Sequence, residues 1–251
     1  MRVYLAGEVM VEAGGALLRE AQLPARQGRL AFAFLVDHRH HPTSHDDLAA
    51  AIWPEGVPDA WTVSLSAIIS KLRVALERVG LQREEAISSA FHCYQLHLPE
   101  GVWVDLEVAT AALHTAEAQV SAGNPAAGHG DALVALSVLR RPFLPGTRGG
   151  WADGRREALR GEMVRALECM TNCLLANDEL ALALRNAEEL VRLEPLRESG
   201  YRQLMRVHVA RGDRGEALRV YEACRARLVD ELGVGPSAET EGLQVSLLKT
   251  S

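Results

Sequence analysis

Leu65-Ser66-Ala67-Ile68-Ile69-Ser70-Lys71-Leu72-Arg73-Val74-Ala75-Leu76 is the stretch on which the reading of this chain turns. Trp61, Leu65, Ile68, Leu72, Leu76 and Val79 recur at spacings of three and four, which puts them on one stripe of a helix and predicts that the stripe is buried. The opposite face carries Ser66 and Ser70, with Lys71, Arg73 and Arg78 toward its edges. Small residues edged by cations suit close approach to a phosphate backbone and to base edges. The helix expected over residues 60 to 79 is therefore a candidate recognition helix, and the candidate DNA-contacting residues are Thr62, Ser66, Ser70, Lys71, Arg73 and Arg78.

Working outward, Val3 to Val11 and Ala16-Leu17-Leu18 read as strands split by the Gly14-Gly15 turn. Gly28 to Val36 reads as a helix with Leu30, Phe34 and Phe32 facing inward, and Pro42 ends that stretch. Ser44 is placed to cap the next helix, with Asp46 and Asp47 in its first turn, where the helix dipole favours anions. Leu48, Ala51, Ile52 and Trp53 form that helix's core face until Pro54 stops it. Beyond the candidate recognition helix, Ile87-Ser88 and Cys93 to Leu98 read as a hairpin closed by Pro99, with His92 near its tip as a further DNA-contacting candidate. Strands, three helices and a hairpin make a winged helix-turn-helix over residues 1 to 100.

From Asp105 the alternating pattern gives way to helical segments at 106 to 122, 129 to 141, 151 to 176, 179 to 193, 198 to 211, 214 to 232 and 237 to 248. Ala183-Leu184-Arg185 with Glu188 aligns with Ala217-Leu218-Arg219 with Glu222, an offset of 34 residues, and Met170, Cys173 and Ala176 fall on Leu204, Val207 and Ala210 at the same offset. That is the tetratricopeptide period, in which helix pairs stack because neither buries its apolar face alone. The fold class is thus mainly α with a small β component: a winged helix-turn-helix domain followed, over residues 101 to 251, by an all-α tetratricopeptide-like repeat domain.

Composition agrees. Hydrophobic residues make up 48% of the 251 and aromatic residues only 5%, a balance of Ala- and Leu-rich packed helices rather than of an all-β chain. No apolar run reaches membrane-spanning length and the N-terminus lacks the shape of a signal peptide, so a cytoplasmic protein without a membrane partner is expected. Cys93, Cys169, Cys173 and Cys224 lack zinc-type spacing and read as reduced core thiols. Only two lysines exist, Lys71 and Lys249, so a phosphate loop has no candidate; Gly-x-Ser-x-Gly and His-Glu-x-x-His are absent. The cluster His38, His40, His41 and His45 straddles a helix end and reads as a solvated connection. No catalytic residue, cofactor or metal site is expected.

Charge is the weak point of a DNA reading. The net charge is −6, and residues 1 to 100 hold nine Arg and Lys against twelve Asp and Glu, or −3. Within residues 58 to 80 the balance is better, with Lys71, Arg73 and Arg78 against Asp59 and Glu77. A rival reading follows: a protein-interaction or effector-sensing module whose winged helix no longer binds DNA specifically.

Several short motifs, in this order, resemble a known family. They are Asp47-Leu48 with Ala51-Ile52-Trp53-Pro54, Ile69-Ser70-Lys71-Leu72-Arg73 with Ala75-Leu76, and Tyr94-Gln95-Leu96. In the second half they are Glu194-Pro195-Leu196-Arg197-Glu198, Leu204-Met205, Gly212-Asp213, Glu216-Ala217-Leu218 with Tyr221, and Glu231-Leu232-Gly233-Val234 before Pro236-Ser237. The chain resembles the SARP-type antibiotic regulatory proteins, in which an OmpR-like winged helix precedes a bacterial transcriptional activator domain. It departs from them at Ser66, Ala67 and Ile68, where members carry longer polar side chains, and at His92-Cys93-Tyr94, where a glycine usually precedes the tyrosine. The resemblance implies a transcriptional regulator, most readily an activator, that binds double-stranded DNA at direct repeats as a side-by-side homodimer and contacts RNA polymerase.

Overall fold

The computed structural model describes residues 1–249, except for the side chain of Glu84. The chain forms two compact units that interleave in sequence: Met1–Val108 with Val138–Leu159, and Ala109–Ser137 with the chain from Arg160 onward. The sequence pattern expects one cut near residues 99 to 105. Instead the first unit takes in a later segment, where Ala6 bridges to Phe143 and the Gly7 N–H donates to the Pro142 carbonyl at 2.8 Å.

In chain order the first unit holds β1 (Arg2–Tyr4), β2 (Met10–Ala13), β3 (Ala16–Leu18), α1 (Ala25–Asp37), β4 (Thr43–Ser44), α2 (His45–Ile52), α3 (Trp61–Glu77), α4 (Arg83–Ala86), β5 (Ile87–Ala90), β6 (Cys93–Leu96) and β7 (Trp103–Val104). The strand expected from Val3 to Val11 is broken, because Gly7 adopts φ +87°, a conformation that residues with a Cβ disfavour. The two pieces pair antiparallel as β1 and β2, and the sheet runs β3-β2-β1-β7 with β7 parallel to β1. Immediately after β7 the buried Asp105 carboxylate accepts the N–H groups of Leu5, Ala6 and Leu106 at 2.8 to 3.0 Å. It fixes the end of β1 to the start of the following helix.

The helix α1 buries Leu30, Phe32 and Phe34 as the spacing predicts. Ser44 caps α2, its Oγ accepting the Asp47 N–H at 3.0 Å, and α2 ends at Ile52, two residues before Pro54. The helix α3 buries Leu65, Ile68, Leu72 and Leu76 against α1 and α2, together with Ile69 and Ala75. Each fully buried leucine contributes about 1.5 to 3 kcal/mol, so this inner stripe holds the three helices together. A second sheet, β4-β6-β5, carries the hairpin that follows α4.

In the second unit lie most of α5 (Asp105–Ser121), α6 (His129–Leu139) and α7 (Gly150–Ala176), then α8 (Leu180–Leu193), α9 (Glu198–Ala210), α10 (Arg214–Leu232) and α11 (Ala238–Lys249). The offset of 34 is visible in the bounds: α7 ends at Ala176 and α9 at Ala210, α8 begins at Leu180 and α10 at Arg214. It is visible in burial too, since Met170 and Leu204, Cys173 and Val207, Ala183 and Ala217 are buried pair by pair. The links match as well, with Asp178 at φ +59° and Gly212 at φ +80° turning the chain at equivalent places. Cys169, Cys173 and Cys224 are buried free thiols, and burial pushes Cys169 up to about 12 and Cys224 to about 11. Among the described residues no helix is long and apolar enough to cross a membrane.

Candidate nucleic-acid interface

The outer face of α3 exposes Thr62, Ser66, Ser70 and Lys71, and Arg78 stands exposed at its C-cap. Among the described residues, neither Lys71 nor Arg78 makes an ion pair, whereas Glu77 is engaged by Arg83 at 2.7 Å. Two cations are therefore available to a partner without breaking an internal contact. Between them the face is small and partly apolar: Ala67 is exposed, Val63 is 71% exposed and Val74 38%.

Arg73 has a different task from the one its sequence position suggests. Its Nε and Nη2 donate to the Ile87 carbonyl at 3.0 and 2.7 Å, and the side chain is half-buried. The guanidinium ties α3 to the root of β5 through Nε and Nη2. What it supplies is the fixed placement of the hairpin beside the candidate recognition helix.

The hairpin has a second tie. Ala90 pairs with Cys93 across a two-residue turn, Phe91-His92, and both turn residues are left-handed, at φ +49° and +56°. The His92 carbonyl accepts the His45 N–H at 3.0 Å. The His45 ring stacks on Tyr94 at 4.3 Å and meets the His92 ring edge-on at 5.9 Å. Burial, and after it the neighbouring His92, hold His45 below its ordinary value; its Nε2 is buried without a hydrogen-bond partner. His92 is exposed, and Phe91 is 99% exposed.

The structure thus gathers Thr62, Ser66, Ser70, Lys71 and Arg78 on one helix face, puts His92 at the hairpin tip, and gives Arg73 to the scaffold between them. Sequence reasoning passed over Val63 and Val74, although they fall in helical register with Ser66 and Ser70 on the polar side. Phe91 gave no local sign, because an aromatic residue beside a strand ordinarily reads as core. The histidines of the connection diverge: His38 stacks on Phe34 at 4.1 Å, His40 lies 3.8 Å from Glu107, and His45 belongs to the hairpin contact. Among the described residues no three metal-ligating side chains converge.

Residues 104–248, more than half of the chain, match the bacterial transcriptional activator domain. The chain belongs to that family. The family segment starts at the last residue of β7, so the face of α3 and the hairpin tip both lie ahead of it. Relatives include the transcriptional regulatory protein EmbR of Mycobacterium tuberculosis, 26% identical over 226 residues that make 88% of this chain and 57% of EmbR. The regulatory protein AfsR of Streptomyces coelicolor is 28% identical over 89% of this chain and 22% of its own. The transcriptional regulatory protein MoaR1 of Mycobacterium tuberculosis is 26% identical over 92% of this chain and 76% of its own. This chain therefore spans just over half the length of EmbR and about a fifth of AfsR. The structure of Mycobacterium tuberculosis EmbR in complex with a low-affinity phosphopeptide superposes with a TM-score of 0.88 over all of this chain and 65% of EmbR, at 22% identity. The fold is shared, and EmbR and MoaR1 are transcriptional regulators by name, AfsR a regulatory protein.

Proposed function

We propose that this chain is a DNA-binding transcriptional regulator whose residues 1 to 100 act as an OmpR-like winged helix-turn-helix. In this reading α3 enters the major groove, the β5–β6 hairpin is the wing and lies against phosphate or minor groove, and the helical repeats of residues 101 to 251 serve a second protomer or RNA polymerase. The site residues are Thr62, Ser66, Ser70, Lys71, Arg78 and His92, with Arg73 positioning the wing. The protein works in the cytoplasm, reads direct repeats as a dimer, and uses neither cofactor nor metal. The observation that carries the reading is the pair of cations, Lys71 and Arg78, unengaged among the described residues, on a helix face otherwise stripped to small residues. Small groups let the helix backbone sit close to the groove. They also forgo bidentate contacts to bases, so specificity leans on DNA shape and on the wing.

One observation favours the rival, a protein-interaction module: residues 1 to 100 are net −3, and no Lys or Arg occurs between Glu84 and Leu139. A gel-shift titration of the full chain against genomic fragments, at low and at physiological salt, separates the two. Saturable binding that weakens with salt supports the regulator. Folded protein that binds no duplex at low salt, while the repeats retain a protein partner, establishes the rival.

A further inference from the structure

The tip of the hairpin holds a bulky aromatic residue where the backbone favours asparagine or glycine. A two-residue turn with both residues left-handed selects Asn-Gly-type sequences, because a Cβ is disfavoured there. Here the turn is Phe91-His92, at φ +49° and +56°, and the Phe91 ring is 99% exposed. The ring therefore contributes neither to the turn nor to the core, and a strained, exposed aromatic residue at such a position points to a contact made outside the chain.

The kind of contact follows from the surroundings. The hairpin from Ile87 to His97 contains no Lys or Arg, so it brings no permanent cation to a narrow minor groove. The residues flanking the ring are Ala90, Ser89 and His92, which give it no large apolar neighbour at the tip. One isolated ring falls far short of the roughly 800 Å² per partner of a stable protein interface. It does match a single base step, where apolar wedges enter the minor groove, unstack neighbouring pairs and kink the duplex. The tip is also braced: the His45 N–H holds the His92 carbonyl, and Arg73 holds the hairpin root to α3. With the backbone that carries the ring already fixed, insertion orders little more than the side chain itself.

We propose that Phe91 is an intercalating wedge that bends DNA at the wing while α3 lies in the adjacent major groove. This rests on the DNA-binding reading above. It assigns the wing a contact that needs no charge, which suits a hairpin without Lys or Arg.

The test compares the full chain with Phe91→Asn, Phe91→Leu and Lys71→Ala on a duplex that the parent chain selects from a random-sequence pool. Affinity is measured across salt, and bending by energy transfer between end-labelled strands. Phe91→Asn relieves the turn, so its melting temperature should rise or hold. Its affinity should fall roughly tenfold, the bend should collapse, and the salt slope should stay at the parent's value. Phe91→Leu should retain much of the bend, and Lys71→Ala should lower the slope while leaving the bend. Undiminished bending and affinity in Phe91→Asn overturn the wedge while the DNA reading stands. Loss of self-association in Phe91→Asn, with DNA bending intact, also overturns it and gives the ring to a protein contact. If the parent selects no duplex at any salt, the DNA reading itself fails and the wedge with it.

Discussion

The two helices α3 and α10 carry charge in opposite ways. On α10, Arg219 pairs with Glu216, Arg225 with Glu222 at 3.2 Å and Arg227 with Glu231 at 3.0 Å, all within the helix. On α3 the exposed face has fewer charges, yet Lys71 and Arg78 are engaged by nothing among the described residues. A cation already matched by its own helix has to break that pair before it serves a partner, and an unmatched one does not. The helix richer in arginine is thus the poorer in available positive charge. Counting charge over residues 1 to 100 therefore understates what α3 can offer to a phosphate.

This contrast can be broken in several places. The largest effect belongs to the inner face of α3, where Leu72→Ala should cost about 2 to 5 kcal/mol through lost burial and a cavity. Ser70→Ala should leave the denaturation midpoint nearly where it is, and equal losses for the two would put the faces of α3 the wrong way round. Arg73→Ala comes next, at about 1 to 3 kcal/mol for two charge-assisted donors removed from a carbonyl. A charge on α3 that served only a partner would leave stability untouched, so a neutral result there returns Arg73 to the outer face.

Acid should also loosen the hairpin. His45 has a native value below its ordinary one of 6.5, so between those two values the unfolded chain binds the extra proton. This group's contribution to stability is full above 6.5 and is lost progressively as pH falls from there through the lower native value. Thermal melts near neutrality and near about pH 5 should show a drop that His45→Phe, which keeps the stack on Tyr94, reduces. An unchanged drop in the variant would remove His45 from the account.

For DNA the comparison gives a smaller signal with a clear sign. Lys71→Ala and Arg78→Ala should each lower the salt dependence of binding by about one unit, as for one lost phosphate contact. Arg225→Ala should lower it by none, and a matching loss there would erase the difference between the helices. The smallest effect is the cost of Arg225→Ala to stability, within about 0.5 kcal/mol, because an exposed pair is worth little in water.

The same contrast marks what was legible in the sequence. The seven helices from α5 onward follow from apolar spacing, and their bounds fall within a residue or two of the expected ones, because the period persists over many turns. β4 and β7 are two residues each, too short to show any alternation, and they pair with partners far along the chain. The exposed residues of α3 were readable from the wheel. The engagement of Arg73 by Ile87, fourteen positions away, was not, since it exists only once the hairpin folds back. Phe91 escaped because composition says nothing of a backbone angle.

Asp105 has a consequence for the order in which the chain can fold as it is made. The acceptor for the N–H of Leu5 lies 100 residues downstream, and β7, the parallel neighbour of β1, immediately precedes it. The strand made first thus leaves the ribosome with one edge open, and open edges invite pairing with other chains. It is closed only when the first helix of the regulatory family segment begins to emerge, and the segment 138–159 that completes the same unit arrives later still. A nascent chain stopped at residue 100 holds the hairpin and helices α1 to α4 beside an unfinished sheet. Completion of the hairpin thus leaves the unit still without β7 and without residues 138 to 159.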